Sequence, residues 1–253
     1  MEDYQDINKK TIDRWVGNGW KWGIPISHEE FLKAKNGDWD VVLTPTRKVP
    51  HEWFGDLKGK RVLGLASGGG QQVPIFAALG AEVTVLDNSP KQIESELLVA
   101  KREGYQVKAV EADMTKPLPF PDGYFDLIFQ PVSFCYIREV FPIYKEVHRI
   151  LKKGGVYLSV AENEINYLVE DETEERIVQR MPFDPIVDEA ARRRLEESDS
   201  GMQFSHSYEE QLGGLLKAGF TIADLYEDTN GEGHLHELNV KTYIATKAIR
   251  NDG

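Results

Sequence analysis

The chain has 253 residues, and 41% of them are apolar, which is enough to build one sizeable core. Its 30 basic and 42 acidic residues leave a net charge of −12, which repels phosphate backbones and anionic lipid and so argues against nucleic acid or membranes as partners. With one cysteine, Cys135, no apolar run long enough to span a bilayer and a polar N-terminus, the protein is expected to be cytoplasmic with a free thiol.

The first 55 residues contain all five tryptophans and show no alternation of strands and helices. We interpret residues 1–55 as a cap attached to a domain that spans residues 56–253. The tryptophans are Trp15, Trp20, Trp22, Trp39 and Trp53. Two interpretations stay open: the indoles pack over one edge of a sheet, or some of them wall a small-molecule pocket.

From Lys60 onward, short β-branched runs alternate with helical stretches, which is typical of an α/β fold with a parallel sheet and crossover helices. The first four predicted strands span residues 61–66, 82–87, 107–113 and 125–129. A helix is predicted over 72–80, and another from Pro90 to about Glu103 with Ser89 as its N-cap.

The second half of the chain continues the alternation but carries one interruption. The predicted elements are a helix over 139–155, strands at 156–161, 221–228 and 241–248, and a helix over 208–219. Ser207 and Glu210 have the spacing of a capping box for that last helix. The charged segment 163–206 is predicted to be an inserted helical cap, with a helix that begins at Asp184 and Pro185.

The segment VLGLASGGGQQ, residues 62–72, places Gly68, Gly69 and Gly70 in the turn after the first predicted strand. Ligands of open parallel sheets bind beyond the carboxyl ends of the strands, where this turn lies. Glycine permits positive φ there and lets the backbone approach a ligand, and the following helix presents free amides. A tight turn without a ligand is the alternative interpretation.

Two aspartates end the next two predicted strands. Asp87 lies 19 residues after Gly68, where a carboxylate can accept hydrogen bonds from both hydroxyls of a ribose. Asp113 ends the third strand and can accept one from an exocyclic adenine amine. Either aspartate alone is equally well explained as a loop cap, but together with the glycine loop they predict an adenosine ligand.

The spacing of small residues in the loop distinguishes between adenosine cofactors. Nicotinamide and flavin dinucleotides are bound by G-x-G-x-x-G, whereas Gly64, Ala66, Gly68 and Gly70 recur at every second position. The pattern therefore argues against a dinucleotide-dependent oxidoreductase.

VLGLASGGG resembles the first motif of the class I S-adenosylmethionine-dependent methyltransferases, roughly [VIL]-[LV]-[DE]-x-G-x-G-x-G. VTVLDNS, EADMTKPLPFPDGYFDLIF and EVHRILKKGGVYLSV are similar to the family's following segments, so the resemblance covers about Lys60 to Val160. It implies a Rossmann-like, doubly wound fold: a seven-stranded, mostly parallel sheet with an antiparallel last strand, here with the N-terminal and inserted caps added.

The resemblance also implies S-adenosyl-L-methionine as the cofactor, S-adenosyl-L-homocysteine as its product and a small-molecule methyl acceptor. The cofactor-binding positions it indicates are Ala66, Ser67, Gly68, Gly69, Gly70, Gln71, Gln72, Asp87, Asn88, Ser89, Asp113, Met114, Gln130 and Pro131. The segment that follows the fourth strand is QPVSF, which is not the N-P-P-Y of nucleic-acid amino methylases.

The first motif departs from the family at two positions. Gly64 stands where the family has an acid that helps to orient the methionine end of the cofactor, and Ala66 stands where it has a glycine. Our hypothesis is that Ser67, Gln71 and Gln72 take over this work. Loss of cofactor binding is the alternative.

Candidate general bases are few: Glu162 after the fifth strand, and His206, His234 and His236 in the last third of the chain. No metal is expected, because the His-x-His pair has no third ligand in evident register. A non-catalytic protein that binds the same cofactor remains an alternative to an enzyme. The acceptor and the oligomeric state are left open by the sequence.

Overall fold

The computed structural model describes residues 3–251 and contains a seven-stranded sheet. The strands are β1 (Arg61–Leu65), β2 (Glu82–Asp87), β3 (Val107–Glu111), β4 (Phe125–Phe129), β5 (Leu151–Glu162), β6 (Phe220–Asp228) and β7 (Tyr243–Arg250). Their order is β3-β2-β1-β4-β5-β7-β6, and β7 is antiparallel to both of its neighbours. The predicted fold is therefore confirmed, including its antiparallel last strand. The order reverses between β1 and β4, which is where open α/β sheets bind ligands.

The helices are α1 (Tyr4–Gly17), α2 (His28–Lys35), α3 (Val73–Ala78), α4 (Pro90–Glu103), α5 (Phe141–Ile150), α6 (Ile165–Leu168), α7 (Glu189–Glu197), α8 (Tyr208–Lys217) and α9 (Gly233–Glu237). Helix α4 begins as the sequence predicts, because the Ser89 side chain accepts a hydrogen bond from the amide of Gln92. It ends at Gly104, whose φ of 76° is the left-handed conformation that glycine favours. None of the helices within residues 3–251 is both long and apolar enough to cross a membrane.

Apolar side chains cover both faces of the sheet. Along β1, Val62 packs into one core cluster while Leu63 and Leu65 pack into the other. The first cluster includes Trp53, whose indole Nε1 donates a hydrogen bond to Asp224 Oδ2 at 2.9 Å. Because side chains on both faces of β1 are buried, the end of this strand has a well-defined position, and so does the first residue of the loop that follows it.

Two predicted helices differ from those observed. The helix expected over 139–155 ends at Ile150, because the turn before β4 donates amides to its last carbonyls and the chain is already extended at Leu151. The helix expected from Asp184 begins at Glu189, with Asp188 as its N-cap. Asp184 instead holds a turn, since its side chain accepts a hydrogen bond from the amide of Ile186.

The N-terminal segment and the insertion contact each other as well as the sheet. The Asn8 side chain donates to the carbonyl of Met202 at 2.9 Å and accepts from its amide at 2.6 Å. On α1, Asp13 accepts a hydrogen bond from the Ser89 hydroxyl at 2.6 Å, which joins α1 to the start of α4. Both segments therefore lie at the carboxyl ends of the strands. The domain boundaries at 55, 163 and 206 remain predictions.

Candidate active site

Two neighbouring cavities lie at the carboxyl ends of the strands. The glycine-loop cavity has a volume of about 260 Å³ and is lined in part by residues 66–68 and 71–72. The aspartate cavity has a volume of about 90 Å³ and is lined in part by Asp87 and Asp113. The walls common to both are Trp20, Ala66, Gln92, Val132 and Tyr136. The two cavities are therefore adjacent and share a wall.

The glycine loop runs over the start of α4 and under the N-terminal segment. The amide of Gly69 donates to the carbonyl of Gln92 at 2.9 Å, and the carbonyl of Gly70 accepts from the amide of Ile26 at 2.9 Å. Ala66 has a φ of 46°, a left-handed conformation that is uncommon for residues other than glycine. Ala66 thus adopts a backbone conformation that glycine reaches more readily, although it carries a Cβ.

The other departure, Gly64, has a steric cause. A Cβ at this position would lie 2.4 Å from Cγ2 of Val73 and 3.2 Å from Cβ of Ser67. The space that an acid would occupy is filled by the packing of α3 against β1. Gly64 is thus required by this core.

Replacing Gly64 with aspartate is expected to lower the free energy of unfolding by about 3 kcal/mol or more, because the substitution overpacks a close contact and buries a charge. Urea unfolding followed by circular dichroism measures this change. Gly17→Asp is the matched control, since nothing lies within 4 Å of a Cβ there, and it should change stability by less than about 1 kcal/mol. A Gly64→Asp protein as stable as the control would contradict the steric explanation.

Asp87 is buried at the end of β2 and contacts the glycine loop directly. Its Oδ2 accepts a hydrogen bond from the amide of Gly68 at 3.0 Å, and its Oδ1 accepts one from the amide of Ser89 at 2.9 Å. Burial raises the pKa of Asp87 to about 6, and the charge of Asp13 adds to the rise, whereas the two amides oppose it. Each carboxylate oxygen keeps acceptor capacity for a further donor.

Asp113 is less buried than Asp87 and lines the same aspartate cavity. Its Oδ1 accepts a hydrogen bond from the amide of Thr115 at 2.8 Å, and Lys116 Nζ is 3.8 Å from its Oδ2. Asn88 adds a polar side chain to the lining of this cavity, and Met114 adds an apolar one. Strand β3 ends at Glu111, two residues before Asp113 and not at it as the sequence predicts, but Asp87 and Asp113 still line the same cavity.

Most of the predicted cofactor-binding residues line the two cavities. They are Ala66, Ser67, Gly68, Gln71, Gln72, Asp87, Asn88, Asp113, Met114 and Pro131. Ser67 Oγ donates to Gln72 Oε1 at 3.1 Å, so these two side chains form a pair. Gln71 Nε2 donates to the carbonyls of Lys21 and Ile24 at 2.8 and 3.0 Å, which ties the N-terminal segment to the loop.

The remaining predicted positions lie behind the cavity walls. Gly69, Gly70 and Ser89 contact α4 or α1 and are outside both linings. Gln130 is fully buried: its Nε2 donates to Ser133 Oγ at 3.0 Å and its Oε1 accepts from the Tyr157 hydroxyl. Through these hydrogen bonds Gln130 connects the segment after β4 to Tyr157 of β5.

Glu162 ends β5 and lines the glycine-loop cavity. The Tyr167 hydroxyl donates to its Oε2 at 3.0 Å, and Tyr243 is its cross-strand neighbour on β7. Its backbone is held on both sides by the Gln211 amide group, at 2.8 Å in each case. Burial raises the pKa of Glu162 to about 7, so the carboxyl can exchange a proton near neutral pH.

The three candidate histidines lie outside both cavity linings. His206 is buried before α8, its Nε2 has no hydrogen-bond partner, and burial lowers its pKa. His236 Nδ1 lies 2.6 Å from Thr229 Oγ1, and His234 lies 3.5 Å from Glu237 on α9. Across residues 3–251, no group of three His, Cys, Asp or Glu side chains is arranged to hold a metal ion.

Several wall residues were not predicted as site residues. Trp20 and Trp22 come from the N-terminal cap, so the pocket-wall interpretation holds for them, while Trp53 packs in the core. Tyr136 and Gln92 were missed altogether. The position of Gln92 follows from the predicted N-cap at Ser89, because the third residue after an N-cap lies in the first helical turn, beside the loop.

The chain is similar to known methyltransferases in sequence and fold. Residues 63–159 match the family model described as "Methyltransferase domain". The chain is 36% identical over 249 residues to the uncharacterized methyltransferase YbaJ of Bacillus subtilis (strain 168), covering 96% of this chain and 97% of that protein. It is 33% identical over 141 residues to the sterol 24-C-methyltransferase erg6 of Aspergillus fumigatus, covering 54% of this chain and 36% of that one. The crystal structure of an S-adenosylmethionine dependent methyltransferase from Mesorhizobium loti superimposes with a TM-score of 0.63 at 19% sequence identity. The superposition covers 79% of this chain and 94% of that one.

Proposed function

This chain belongs to the class I S-adenosylmethionine-dependent methyltransferases, and from that membership we propose that it methylates a small, largely apolar molecule with Glu162 as the general base. S-adenosylmethionine is the cofactor of the family. No finding favours the dinucleotide oxidoreductase, and the non-catalytic alternative is addressed by the experiment below. The observation that carries the proposal is a titratable carboxyl, that of Glu162, on the wall of a cavity with both apolar and polar side chains. This cavity adjoins the compartment that contains Asp87 and Asp113.

The residues of the aspartate cavity fit the nucleoside part of the cofactor. Asp87 presents a buried carboxylate with free acceptor capacity, and Gly68 lies so near that a Cβ there would approach Asp87 Oδ2 to 2.9 Å. Gln92 contributes a buried Oε1 with no hydrogen-bond partner. Asp87 would hold the ribose, Asp113 the adenine amine, and Ser67 with Gln72 the methionine end. When bound, the cofactor supplies a methyl group on a sulfonium, which is a good leaving group.

The lining of the glycine-loop cavity indicates the class of acceptor. Its apolar walls include Trp20, Trp22, Val42, Leu43, Val132 and Tyr136. Among the described residues that line it, Glu162 carries the only carboxyl group. Polar walls are added by Thr44, Gln203 and Tyr243, among others. Such a mixed lining favours an apolar or aromatic body that carries polar substituents, one of them an acidic O–H, N–H or C–H group. A nucleic acid is disfavoured by the net charge of −12.

Glu162 would accept the proton that the attacking atom of the acceptor loses. The Tyr167 hydroxyl holds the carboxyl in place, and the Gln211 amide fixes the backbone of Glu162. Aligning two reactants and excluding water supply most of the rate in such a transfer, and the base adds to them when the nucleophile is weak. The walls contributed by Trp20 and Tyr136 serve the exclusion of water.

The proposal is tested by incubating the protein with S-adenosylmethionine and a panel of apolar phenols, carboxylic acids, amines and activated carbon acids. S-adenosylhomocysteine is measured by mass spectrometry. We expect turnover with at least one acceptor and its loss in Glu162→Gln. Tight cofactor binding with no turnover across the panel would instead favour the non-catalytic alternative.

Gln71→Ala is expected to weaken cofactor binding about fivefold to tenfold, because two hydrogen bonds that tie residues 21–24 over the loop are lost. Gln72→Ala should have an effect of similar size, since it leaves Ser67 without its partner. Isothermal titration with S-adenosylhomocysteine measures both. Gln106→Ala, at an exposed position away from the site, is the control. Unchanged affinity in both variants would refute the hypothesis that these side chains replace the missing acid.

A further inference from the structure

A buried carboxyl lies beneath the glycine loop, outside the residues discussed so far. Glu96 of α4 is fully buried, and its Oε1 accepts a hydrogen bond from the Tyr105 hydroxyl at 3.0 Å. Its Oε2 has no hydrogen-bond partner. A buried polar atom without a partner costs stability, so an apolar side chain would be the better choice for packing alone.

The loop rests directly on the turn of α4 that carries Glu96. A Cβ at Gly70 would lie 2.8 Å from Cγ2 of Val99 and 2.9 Å from the carbonyl oxygen of Ser95. The amide of Gly69 donates to the carbonyl of Gln92, one turn earlier on the same helix. The close approach leaves no room for a side chain between loop and helix.

Glu96 lies on the face of α4 that the loop contacts, because it comes four residues after Gln92 and three residues before Val99. Burial raises its pKa to about 8, while the Tyr105 hydroxyl and the backbone amide of Gly70 oppose this rise. No described basic side chain forms an ion pair with it. The carboxyl is thus mostly neutral at pH 7, and it is buried on the side of α4 that the loop covers.

We propose that Glu96 is a positioning residue for the glycine loop, which holds the segment around Gly70 in the conformation that binds the cofactor. The first motif has no acid of its own, because Val73 fills the space beside Gly64. The proposal depends on the family's cofactor and is independent of the acceptor and of the role of Glu162.

Glu96→Leu and Glu96→Gln test the proposal with S-adenosylhomocysteine as the probe. Leucine fills the site but cannot accept a hydrogen bond, so the thermal midpoint of the free protein should be kept or raised while Kd by calorimetry increases at least tenfold. Glutamine keeps one acceptor oxygen and should restore Kd to within about threefold of the original. Glu94→Gln, exposed on the same helix and paired with Lys91, is the control and should leave Kd unchanged.

Hydrogen exchange of the amides in 68–72 gives a second readout, which should accelerate in Glu96→Leu without a change in β4 or β5. Original affinity in Glu96→Leu, or an equal loss in both variants, would overturn the proposal. If Glu96→Leu does not fold, Tyr105→Phe decides. The phenyl ring can still stack on Phe31, and Kd should rise about threefold because the carboxyl loses its hydroxyl donor. Unchanged binding in Tyr105→Phe would then overturn the proposal.

Discussion

Asp87→Ala is expected to weaken binding of S-adenosylmethionine about 100-fold or more, the largest effect on affinity of any single change in the site. Hydrogen bonds to a charged group contribute about 1.5–3 kcal/mol each, and Asp87 is placed to accept two from the ribose. The substitution also removes the acceptor for the Gly68 amide, so the loop itself is released. Asp113→Ala, which loses one hydrogen bond to the adenine, should weaken binding only about tenfold. Calorimetry on both variants measures the difference, and equal or reversed losses would refute this ordering.

The pH dependence of binding provides a second test of Asp87. Its pKa of about 6 in the free protein means that the carboxyl takes up a proton as the pH falls through that value. Hydroxyl donors prefer the ionised form, so affinity should be full above pH 7 and fall severalfold by pH 5. Asp87→Asn is the control, because it keeps the shape but cannot titrate, and it should bind weakly with little dependence on pH across this range.

Glu162→Gln is expected to lower kcat by about 100-fold to 1,000-fold once an acceptor is identified, since a positioned base contributes about that much. The dissociation constant of S-adenosylhomocysteine should stay within about threefold, because Asp87 and Asp113 are untouched. Stopped assays at saturating cofactor measure kcat, and Glu164→Gln, two residues further along the chain, is the control. Full kcat in Glu162→Gln would remove Glu162 from the mechanism.

The pH dependence of the reaction rate is a second test of Glu162 as the general base. A base must be ionised to accept a proton, and the pKa of Glu162 is raised to about 7 by burial. The rate should therefore rise with pH through about 7 and level off above it. In Glu162→Gln that rising limb should be absent from the residual rate. A profile that is unchanged by the substitution would assign the limb to another group.

Periodicity in the sequence was sufficient to predict an α/β fold and the approximate positions of its strands, whereas the antiparallel last strand was implied by the family resemblance. The β-branched runs with glycine and proline between them lead to the observed strands, and the aspartates at two strand ends meet in one cavity because parallel strands end at the same edge. Element boundaries were less predictable. Helix α5 ends before Gly154 and Gly155 because the amides of Gly123 and Tyr124 donate hydrogen bonds to the carbonyls of Arg149 and Ile150. This contact joins segments that are distant in the sequence.

The residues that line the walls of the site could not all be predicted, because tertiary contacts between distant segments bring them there and no local sequence pattern indicates such contacts. Trp20 and Trp22 stand out by composition, but only the crossing of the N-terminal segment over the glycine loop places them at the cavity. Glu96 looks like an ordinary charged position of a helix, and its burial is visible only once the loop is packed on α4. In the sequence, Gly64 appears only as the absence of the motif's acid. The structure shows that a methyl group of Val73 fills the space that a side chain at Gly64 would need.

A crystal structure of the protein with S-adenosylmethionine bound tests the central claim most directly. We predict that the adenosine lies in the aspartate cavity on Asp87 and Asp113, and that the methyl group points into the glycine-loop cavity toward Glu162 and Trp20. A cofactor bound in the opposite sense, or with its methyl group directed away from Glu162, would contradict the account.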